Sequence, residues 1–358
     1  MPTRKTTLFL VFVLLLLVAF AILFFIAPAV QIALATPTPR STLAAPTPPL
    51  VPTEHAVVTI PLIARVSINT AEYSGMAWYG DNLILLPQYP NRFGIGDGAL
   101  LSIPKADLLA FLDGKTTSPL IPRYVPLSAP GLTQRVPGFE GFESIGFIGD
   151  DVFMTIEAKP GTMMGNLVKG KIASDLSRIQ LDATTLLQIP PQAAISNFSD
   201  EAMVVAGNKL LTMYEANGAG ANPQPVAHVF DFKPAAVGTL AFPNIEYRIT
   251  DATPTDAANR FWAINYFFPG DVKILPLFDP LAQKFGKGLT HAQYPQVERL
   301  VEFQYSDAGI TLTNTPPLQF VLPNADARNW EGIARLDNRG FLIVTDSFPQ
   351  TILGFAGK

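Results

Sequence analysis

Acidic and hydroxyl side chains recur at matched positions along this sequence, and these positions are where its chemistry is expected. The first set contains Ser74, Glu143, Glu201, Asp251 and Glu331. Four carboxyl groups held close together would repel one another and would have raised pKa values unless a cation neutralised them. Hard divalent cations bind several oxygen ligands of this kind. We therefore predict a divalent metal site at these five positions, with calcium as the first expectation.

A second set of polar residues follows the first at nearly constant spacing. It contains Gln88, Glu157, Glu215, Asn265 and Asp346, which follow the first set by 14 positions in four cases and by 15 in the last. If the matched positions line a central channel, these side chains form either a second polar layer near the channel mouth or part of the surface around that mouth. Trp330 is a further candidate, which either reaches the channel or packs in the core. A structural role stays open for the acidic residues, because carboxylates next to strands also bind backbone amides.

Each pair of matched positions encloses a predicted β-hairpin. The segment from Ser74 to Gln88, SGMAWYGDNLILLPQ, contains an apolar strand, a Gly-Asp-Asn turn and a second apolar strand. Gly, Asp and Asn tolerate the positive φ angles of tight turns. The second strands, such as 83–86 and 341–344, are apolar at consecutive positions, which is typical of strands buried on both faces. Five such hairpins indicate an all-β repeat protein.

The spacing of the hairpins predicts a five-bladed β-propeller. The hairpins begin 50 to 80 residues apart, which is enough for four strands and their loops in each blade. In such a fold the first strand of every blade lines the central channel, so the first set of residues should converge on one axis. Strand-like segments at 299–305, 310–313 and 318–322 leave a sixth blade as an alternative.

The two ends of the propeller sequence predict how the ring closes. Only 27 residues follow Glu331, which is too few for four strands. A strand-like run from His55 to Ser67 precedes the first hairpin and is not needed for it. We therefore predict that this N-terminal run completes the last blade, because closure removes a free sheet edge.

A hydrophobic segment at the N-terminus predicts a single-pass membrane anchor. Residues 8–25 are almost entirely Leu, Val, Phe, Ile and Ala, and Arg4 and Lys5 precede them. This length suffices for a transmembrane helix, and the basic residues favour a cytoplasmic N-terminus with the propeller outside. The alternative is a secreted protein cleaved near Ala35. The predicted organisation is an anchor at 1–35, a Pro- and Thr-rich linker at 36–53 and a propeller domain at 54–358.

Composition excludes several classes of function. Charged residues make up only 15% of the chain and the formal net charge is −4, so we expect no nucleic-acid partner. Cysteine is absent, which excludes disulfides, thiolate zinc sites and cysteine nucleophiles. The expected partners are the membrane, through the N-terminal segment, and a protein, glycan or small-molecule ligand.

The inner-strand motifs resemble those of a known propeller family. Ser74-Gly, Glu143-Ser-Ile, Glu201-Ala-Met and the run from Asn329 to Ala334, NWEGIA, are similar to motifs of the calcium-activated nucleotidases, the apyrase family. That resemblance implies five blades and an axial calcium held by serine and glutamate side chains. The chain departs from the family at Asp251, where the family pattern has serine, and in the nucleotide-contacting loops, which have no convincing counterpart.

A second, shorter resemblance concerns the metal ligands. The run Glu331-Gly-Ile-Ala, together with Asn265 and Asp346, is similar to senescence-marker/gluconolactonase propellers and to esterase-like phytases. In those families Glu, Asn and Asp hold a metal ion, so the resemblance implies the same for these residues.

Two functional hypotheses remain from the sequence. The first is a binding propeller whose loop face recognises a partner and whose acidic ring stabilises the scaffold. The second is a calcium-dependent hydrolase of phosphate esters or lactones, with the acidic residues of the first set as ligands. In that case Glu157, Glu215 or Asp346 is the candidate base. The binding hypothesis is favoured, and whether the chain is an enzyme stays open.

Overall fold

The structure is a computed structural model that describes residues 51–233 and 235–358. These residues belong to the compact unit Pro49–Lys358. The predicted anchor at 1–35 and most of the predicted linker lie outside the described residues. Within the part of the chain that is described, no helix combines the length and apolar composition of a membrane span.

Antiparallel strands dominate the regular secondary structure and are grouped into five blades. Two short strands come first, β1 (Glu54–His55) and β2 (Val57–Ile60). Blade 1 contains β3 (Tyr73–Tyr79), β4 (Asn82–Pro87), β5 (Ala99–Pro104) and β6 (Arg123–Ser128). Blade 2 contains β7 (Phe139–Ile148), β8 (Asp151–Ala158), β9 (Met164–Ile172) and β10 (Ile179–Ile189). A short parallel pairing of β6 with β10 joins these two blades into one eight-stranded sheet.

The other three blades follow the same plan. Blade 3 contains β11 (Asp200–Ala206), β12 (Lys209–Tyr214), β13 (Val226–Phe230) and β14 (Ala236–Ala241). Blade 4 contains β15 (Arg248–Ala252), β16 (Arg260–Phe267), β17 (Val297–Ser306), β18 (Gly309–Leu312) and β19 (Leu318–Phe320), with β1 added in parallel to β19. Blade 5 contains β20 (Trp330–Leu336), β21 (Gly340–Thr345), β22 (Leu353–Gly357) and the N-terminal strand β2.

The first strands of the blades contact one another in a closed cycle, β3–β7–β11–β15–β20–β3. A closed ring of radially arranged four-stranded sheets is a β-propeller, so the predicted all-β propeller is confirmed. The segments considered for a sixth blade are the strands β17, β18 and β19, which belong to blade 4. The described residues therefore form five blades.

The N-terminal strand closes the ring, as predicted. Strand β2 pairs antiparallel with β22, with Val57 opposite Ala356 and Ile60 opposite Leu353. The predicted run continued to Ser67, but the strand ends at Ile60 and a short 3-10 turn covers Ala64–Val66. Because the two ends of the described unit share one blade, its last sheet has no free outer edge at β22.

Consecutive apolar residues in the second strands pack between neighbouring blades. In β4, Leu83 and Leu85 pack against residues of blade 5, whereas Ile84 and Leu86 pack against residues of blade 2. All four side chains are fully buried. Since successive side chains of a strand point to opposite faces, a strand between two other blades must be apolar at every position. This arrangement confirms that the apolar runs mark strands buried on both faces.

Small residues follow the matched acidic positions because the inner strands approach one another closely. A Cβ atom on Gly75 would lie 3.1 Å from the carbonyl oxygen of Glu143, and one on Gly332 would lie 3.2 Å from the carbonyl carbon of Gly75. The Ser-Gly and Glu-Gly motifs therefore reflect the narrowing of the ring at its axis.

Four short helices lie in the connections between strands of the described residues. They are α1 (Lys105–Leu112), α2 (Leu132–Arg135), α3 (Pro280–Phe285) and α4 (Leu289–Gln293). Helix α3 begins after Asp279, whose side chain accepts hydrogen bonds from the amides of Leu281 and Ala282. The helices support the connections, while the strands position the candidate site.

Candidate functional site

Every residue of the first matched set lies at an irregularity of its inner strand. In β3 the pairing shifts between Tyr73 and Gly75, which leaves Ser74 as the extra residue. Equivalent shifts surround Glu143, Glu201, Asp251 and Glu331 in the other four inner strands. A β-bulge changes the direction of the side chain it carries. The repeat recognised in the sequence is thus also a repeat of local backbone geometry.

The second matched set lies at the same end of the blades as the first. Glu157 is paired with Gly141, two residues before Glu143, and Asn265 is paired with Ile249, two residues before Asp251. Antiparallel pairing places the end of each second strand beside the start of its inner strand. The structure therefore brings the two predicted layers together at one end of the axis.

Six carboxyl groups from both sets form what we call the acidic cluster. Its members are Glu143, Glu157, Glu201, Glu215, Glu331 and Asp346. Glu143, Glu157, Glu201 and Glu215 are only 3%, 5%, 8% and 0% exposed. Electrostatic repulsion links Glu143 to Glu157, Glu201 and Glu331, so carboxyl groups of blades 2, 3 and 5 share one environment. Such a density of buried acids requires compensation by protons or by cations.

One buried arginine supplies a cation inside the acidic cluster. Nε of Arg248 donates a hydrogen bond to Oε1 of Glu215. The guanidinium also lies 3.9 Å from an oxygen of Glu201, 3.9 Å from an oxygen of Glu331 and 3.8 Å from an oxygen of Asp271. The Arg248 side chain is 12% exposed. Arg248 is the first residue of β15, so it connects blade 4 to blades 3 and 5.

The position of Arg248 is determined by its surroundings. The guanidinium carbon lies 5.4 Å from the ring centre of Phe198 and 5.8 Å from that of Tyr266. The backbone carbonyl of Arg248 accepts a hydrogen bond of 3.2 Å from Nδ2 of Asn265. Cation–π contacts on two sides and a bonded backbone leave the side chain little freedom to move.

Burial raises the pKa of every glutamate in the acidic cluster. It raises the pKa of Glu157 to about 7 and that of Glu215 to about 8, although Arg248 opposes both shifts. For Glu201, burial and the neighbouring Glu215 raise the pKa well above its ordinary value. The proximity of these two side chains favours a proton on Glu201 and opposes part of the rise in the pKa of Glu215. Protons therefore supply part of the compensation at neutral pH.

Burial and neighbouring charges also shift the pKa values of Glu331 and Arg248. Burial and then the nearby Asp346 raise the pKa of Glu331 well above its ordinary value. Burial lowers the pKa of Arg248, but the carboxylates of Glu215, Glu201 and Glu331 outweigh it and the net shift is upward. The arginine thus stays protonated and its charge is permanent.

Glu143 and Glu157, like Asp346, make no ion pair within the described chain. Nε2 of Gln88 donates a hydrogen bond of 3.2 Å to Oε1 of Glu143. Oε1 of Glu157 is buried and has no hydrogen-bond partner among the described residues. The nearby Ser199 hydroxyl lowers the pKa of Glu157, but this hydroxyl makes no hydrogen bond to the Glu157 carboxylate. We call Gln88, Glu143 and Glu157 the open sector.

Three of the predicted site residues are bound to backbone groups instead. The Ser74 hydroxyl donates a hydrogen bond of 2.5 Å to the carbonyl of Phe142. Oδ2 of Asp251 accepts one of 2.8 Å from the amide of Ile333, and this amide and the nearby amides of Ala252 and Met76 oppose the rise in pKa that burial causes. Asn265 donates to the carbonyls of Glu246 and Arg248. These residues connect inner strands, which is the structural role left open by the sequence.

Trp330 packs in the core and does not reach the channel. Its side chain is fully buried, and its indole N–H donates a hydrogen bond of 2.7 Å to Oε2 of Glu298. The same carboxylate oxygen pairs with Arg328 at 2.7 Å. The interpretation of Trp330 as a ligand residue is not supported by this placement, because neighbouring residues of a strand point to opposite faces.

The opposite end of the axis is mostly apolar, apart from an ion pair between Arg335 and Asp256 at 3.5 Å. A cavity of about 250 Å³ lies there, lined by inner-strand residues that follow the bulges. The lining includes Met76, Trp78, Phe147, Met203, Ile333 and Arg335. The buried carboxyl groups of the matched sets that lie together are therefore at one end of the axis only.

The axial calcium implied by the family resemblance does not match the donor set. Ser74 and Asp251 are engaged with backbone groups, and the guanidinium of Arg248 lies among the oxygens of Glu201, Glu215 and Glu331. Across residues 51–233 and 235–358, no three His, Cys, Asp or Glu side chains are arranged to hold one metal ion. Calcium binding stays a prediction from the sequence.

Two residues of the site were missed in the sequence. Arg248 stands three positions before Asp251, and the signal that could have identified it is the need of a buried acidic ring for a fixed cation. Nδ2 of Asn329 donates hydrogen bonds to Glu331 at 2.5 Å and to Asp346 at 3.4 Å. Asn329 thus links the two matched positions of blade 5.

No protein-family model and no curated protein matches this sequence. Among solved structures, a glucose dehydrogenase is similar at 10% identity, over 86% of this chain and 100% of that one, with a TM-score of 0.44. The GH43 endo-arabinanase of Bacillus licheniformis has 10% identity, 80% and 94% coverage and a TM-score of 0.42. The soluble aldose sugar dehydrogenase of Escherichia coli has 10% identity, 85% and 99% coverage and a TM-score of 0.42. Similarity at this level carries no argument about activity.

Proposed function

We propose that this protein is a ligand-binding β-propeller that is tethered to a membrane and works outside the cytoplasm. The ligand presents hydrogen-bond donors, as a glycan, a polyol or an amine does, to the open sector of the acidic cluster. The hydrophobic segment before the linker supports the tether. The acidic cluster lies at one end of the axis, and this position supports a binding face at that end.

The observation that carries this proposal is the unpartnered oxygen of Glu157. Oε1 of Glu157 is buried without a hydrogen-bond partner among the described residues, and the residue is 5% exposed. A buried acceptor without a donor is unfavourable by about 1–3 kcal/mol. A ligand that donates a hydrogen bond to this oxygen recovers that free energy, so the open sector favours ligands with N–H or O–H groups.

The charge of the site selects against anions. The acidic cluster holds six carboxyl groups, and the one arginine within it is already bonded to Glu215. The formal net charge of the whole chain is also negative, at −4. Like charges repel at short range in a site of low dielectric, so phosphate esters are disfavoured relative to neutral or cationic ligands.

A second candidate function is hydrolysis of a neutral ester such as a lactone. Glu157 favours it, because a carboxylate with one free oxygen at a ligand site is placed to accept a proton from water. Burial raises the pKa of Glu157 to about 7, which suits a group that exchanges protons near neutral pH. Glu157 would be the general base in this case.

The experiment is a binding and turnover screen on the full chain, purified in a mild detergent. Thermal unfolding is recorded with oligosaccharides, polyols, alkylamines and lactones, since a ligand of the native state raises Tm by mass action. Lactone hydrolysis is measured in parallel. We expect one of these classes to raise Tm, and lactone turnover if the second candidate is correct.

The decisive variant is Glu157→Gln, with Glu302→Gln as the matched control. Glu302 is also buried, but Thr313 and Thr315 donate hydrogen bonds to its Oε2. We expect binding to be lost in Glu157→Gln and retained in Glu302→Gln. Equal ligand affinity in wild type and Glu157→Gln, or no response to any of the classes, would refute the proposed site.

A further inference from the structure

We infer that the guanidinium of Arg248 is a resident cation that takes the place of an axial metal ion in this propeller. It offsets part of the negative charge of the acidic cluster and connects three blades without a bound metal. The inference is independent of the ligand proposed for the open sector.

The first support is the set of blades that Arg248 connects. Its partners Glu201 and Glu215 belong to blade 3, and Glu331 belongs to blade 5. Arg248 itself is on the inner strand of blade 4. An axial metal held by the matched acidic positions would join blades in this way, and here a covalently attached cation does so.

The second support is competition for the same oxygen atoms. Calcium takes six to eight oxygen ligands, mostly from carboxylates and carbonyls. The guanidinium is within 3.9 Å of Oε1 of Glu201 and of Oε1 of Glu331, and it bonds Oε1 of Glu215. Two cations this close together would repel each other strongly. Arg248 and a metal are therefore alternative occupants of the cluster.

The third support is the preorganisation of the arginine. Phe198 and Tyr266 lie beside the guanidinium, and Asn265 bonds the carbonyl of Arg248. Arg299 in turn donates a hydrogen bond of 2.8 Å to Oδ1 of Asn265. The guanidinium of Arg248 is therefore a fixed part of the fold. The cluster obtains this positive charge without binding a cation from solution.

The test uses thermal unfolding of the full chain in detergent, with calcium or with a chelator. We expect wild type to show the same Tm in both conditions. In Arg248→Ala we expect a lower Tm that rises when calcium or methylguanidinium is added, because either cation can enter the vacated position. Arg248→Lys keeps the charge, so its Tm should not respond to calcium.

Arg328→Ala is the matched control. Arg328 is another buried arginine, paired with Glu298 at 2.7 Å outside the acidic cluster. We expect Arg328→Ala to lose stability without gaining a calcium response. A calcium-dependent rise of Tm in wild type would overturn the inference, and this result decides the matter even if Arg248→Ala does not fold. A folded Arg248→Ala that responds to neither cation would also overturn it.

Discussion

Nε of Arg248 donates a hydrogen bond to Oε1 of Glu215, and this side-chain contact joins the inner strand of blade 4 to the end of the second strand of blade 3. The same guanidinium approaches Glu201 and Glu331. Arg248 and Glu215 therefore lie at the centre of the charge balance of the acidic cluster. The stability of the propeller should depend on them more than on its surface ion pairs.

The first prediction concerns the Arg248–Glu215 pair. We expect Arg248→Met to lower the free energy of unfolding by about 3–5 kcal/mol, because it leaves buried carboxylates without their cation. A double-mutant cycle with Glu215→Gln should give a coupling energy of about 1–3 kcal/mol, measured by urea unfolding. Arg339→Met removes a surface pair with Asp113 and should change stability by less than about 1 kcal/mol. Equal losses in Arg248→Met and Arg339→Met would contradict the central role of Arg248.

The second prediction concerns pH. Burial raises the pKa of Glu157 from 4.5 to about 7, so the folded protein holds a proton that the unfolded chain releases. The stabilisation from this group is complete below a pH of about 4.5 and is lost as the pH rises through about 7. Glu215, with its pKa raised to about 8, acts in the same direction. We expect the free energy of unfolding to fall from mildly acidic to mildly alkaline pH, and to fall less in Glu157→Gln. Identical pH slopes for the two proteins would rule this out.

The third prediction tests the close approach of the inner strands. A Cβ atom on Gly332 would lie 2.7 Å from Cγ1 of Val344 and 3.2 Å from the backbone of Gly75. Gly332→Ala should therefore destabilise the propeller by about 1–3 kcal/mol through overpacking, seen as a lower Tm. Gly161→Ala is the control, since a Cβ atom there would meet nothing within 4 Å. If both variants keep the wild-type Tm, the inner strands are not as tightly spaced as described.

The fourth prediction tests the closure of the ring by strand β2. Ile60 is 1% exposed and packs in the core between blades 5 and 1, whereas Val58 on the same strand is 48% exposed. Ile60→Ala should lower the free energy of unfolding by about 2–5 kcal/mol. Val58→Ala should change it by about 0.5 kcal/mol or less. Faster hydrogen exchange at the amides of β22 in Ile60→Ala alone would show that the loss comes from weakened closure.

The architecture could be predicted because it is encoded locally. Hairpins such as that from Ser74 to Gln88 follow from turn residues and from consecutive apolar positions, and both signals lie within about 15 residues. The closure by the N-terminal run followed from counting the residues after Glu331. The choice between five and six blades needed the pairing itself, because the strand β17 pairs within blade 4 and extends it.

The site could be predicted only in part, for a physical reason. The matched acidic positions were visible because a repeated backbone carries repeated side chains, and Glu143, Glu157, Glu201, Glu215, Glu331 and Asp346 do lie together. The sequence did not show which of the candidate residues would join the cluster and which would bind or pack elsewhere. Asp251 stands at a matched acidic position, but it accepts a hydrogen bond from the amide of Ile333. Trp330 stands next to Glu331, but it packs into the core.

By itself, the sequence determined an all-β chain of five repeated hairpins, with acids at matched positions and a ring closed by the N-terminal strand. Only the tertiary structure decided which acids meet, which bind backbone and which cation stands among them. Arg248, from blade 4, reaches carboxylates of blades 3 and 5. Local patterns specify strands and turns, but distances between side chains of different blades depend on bulges and on the packing of the whole ring.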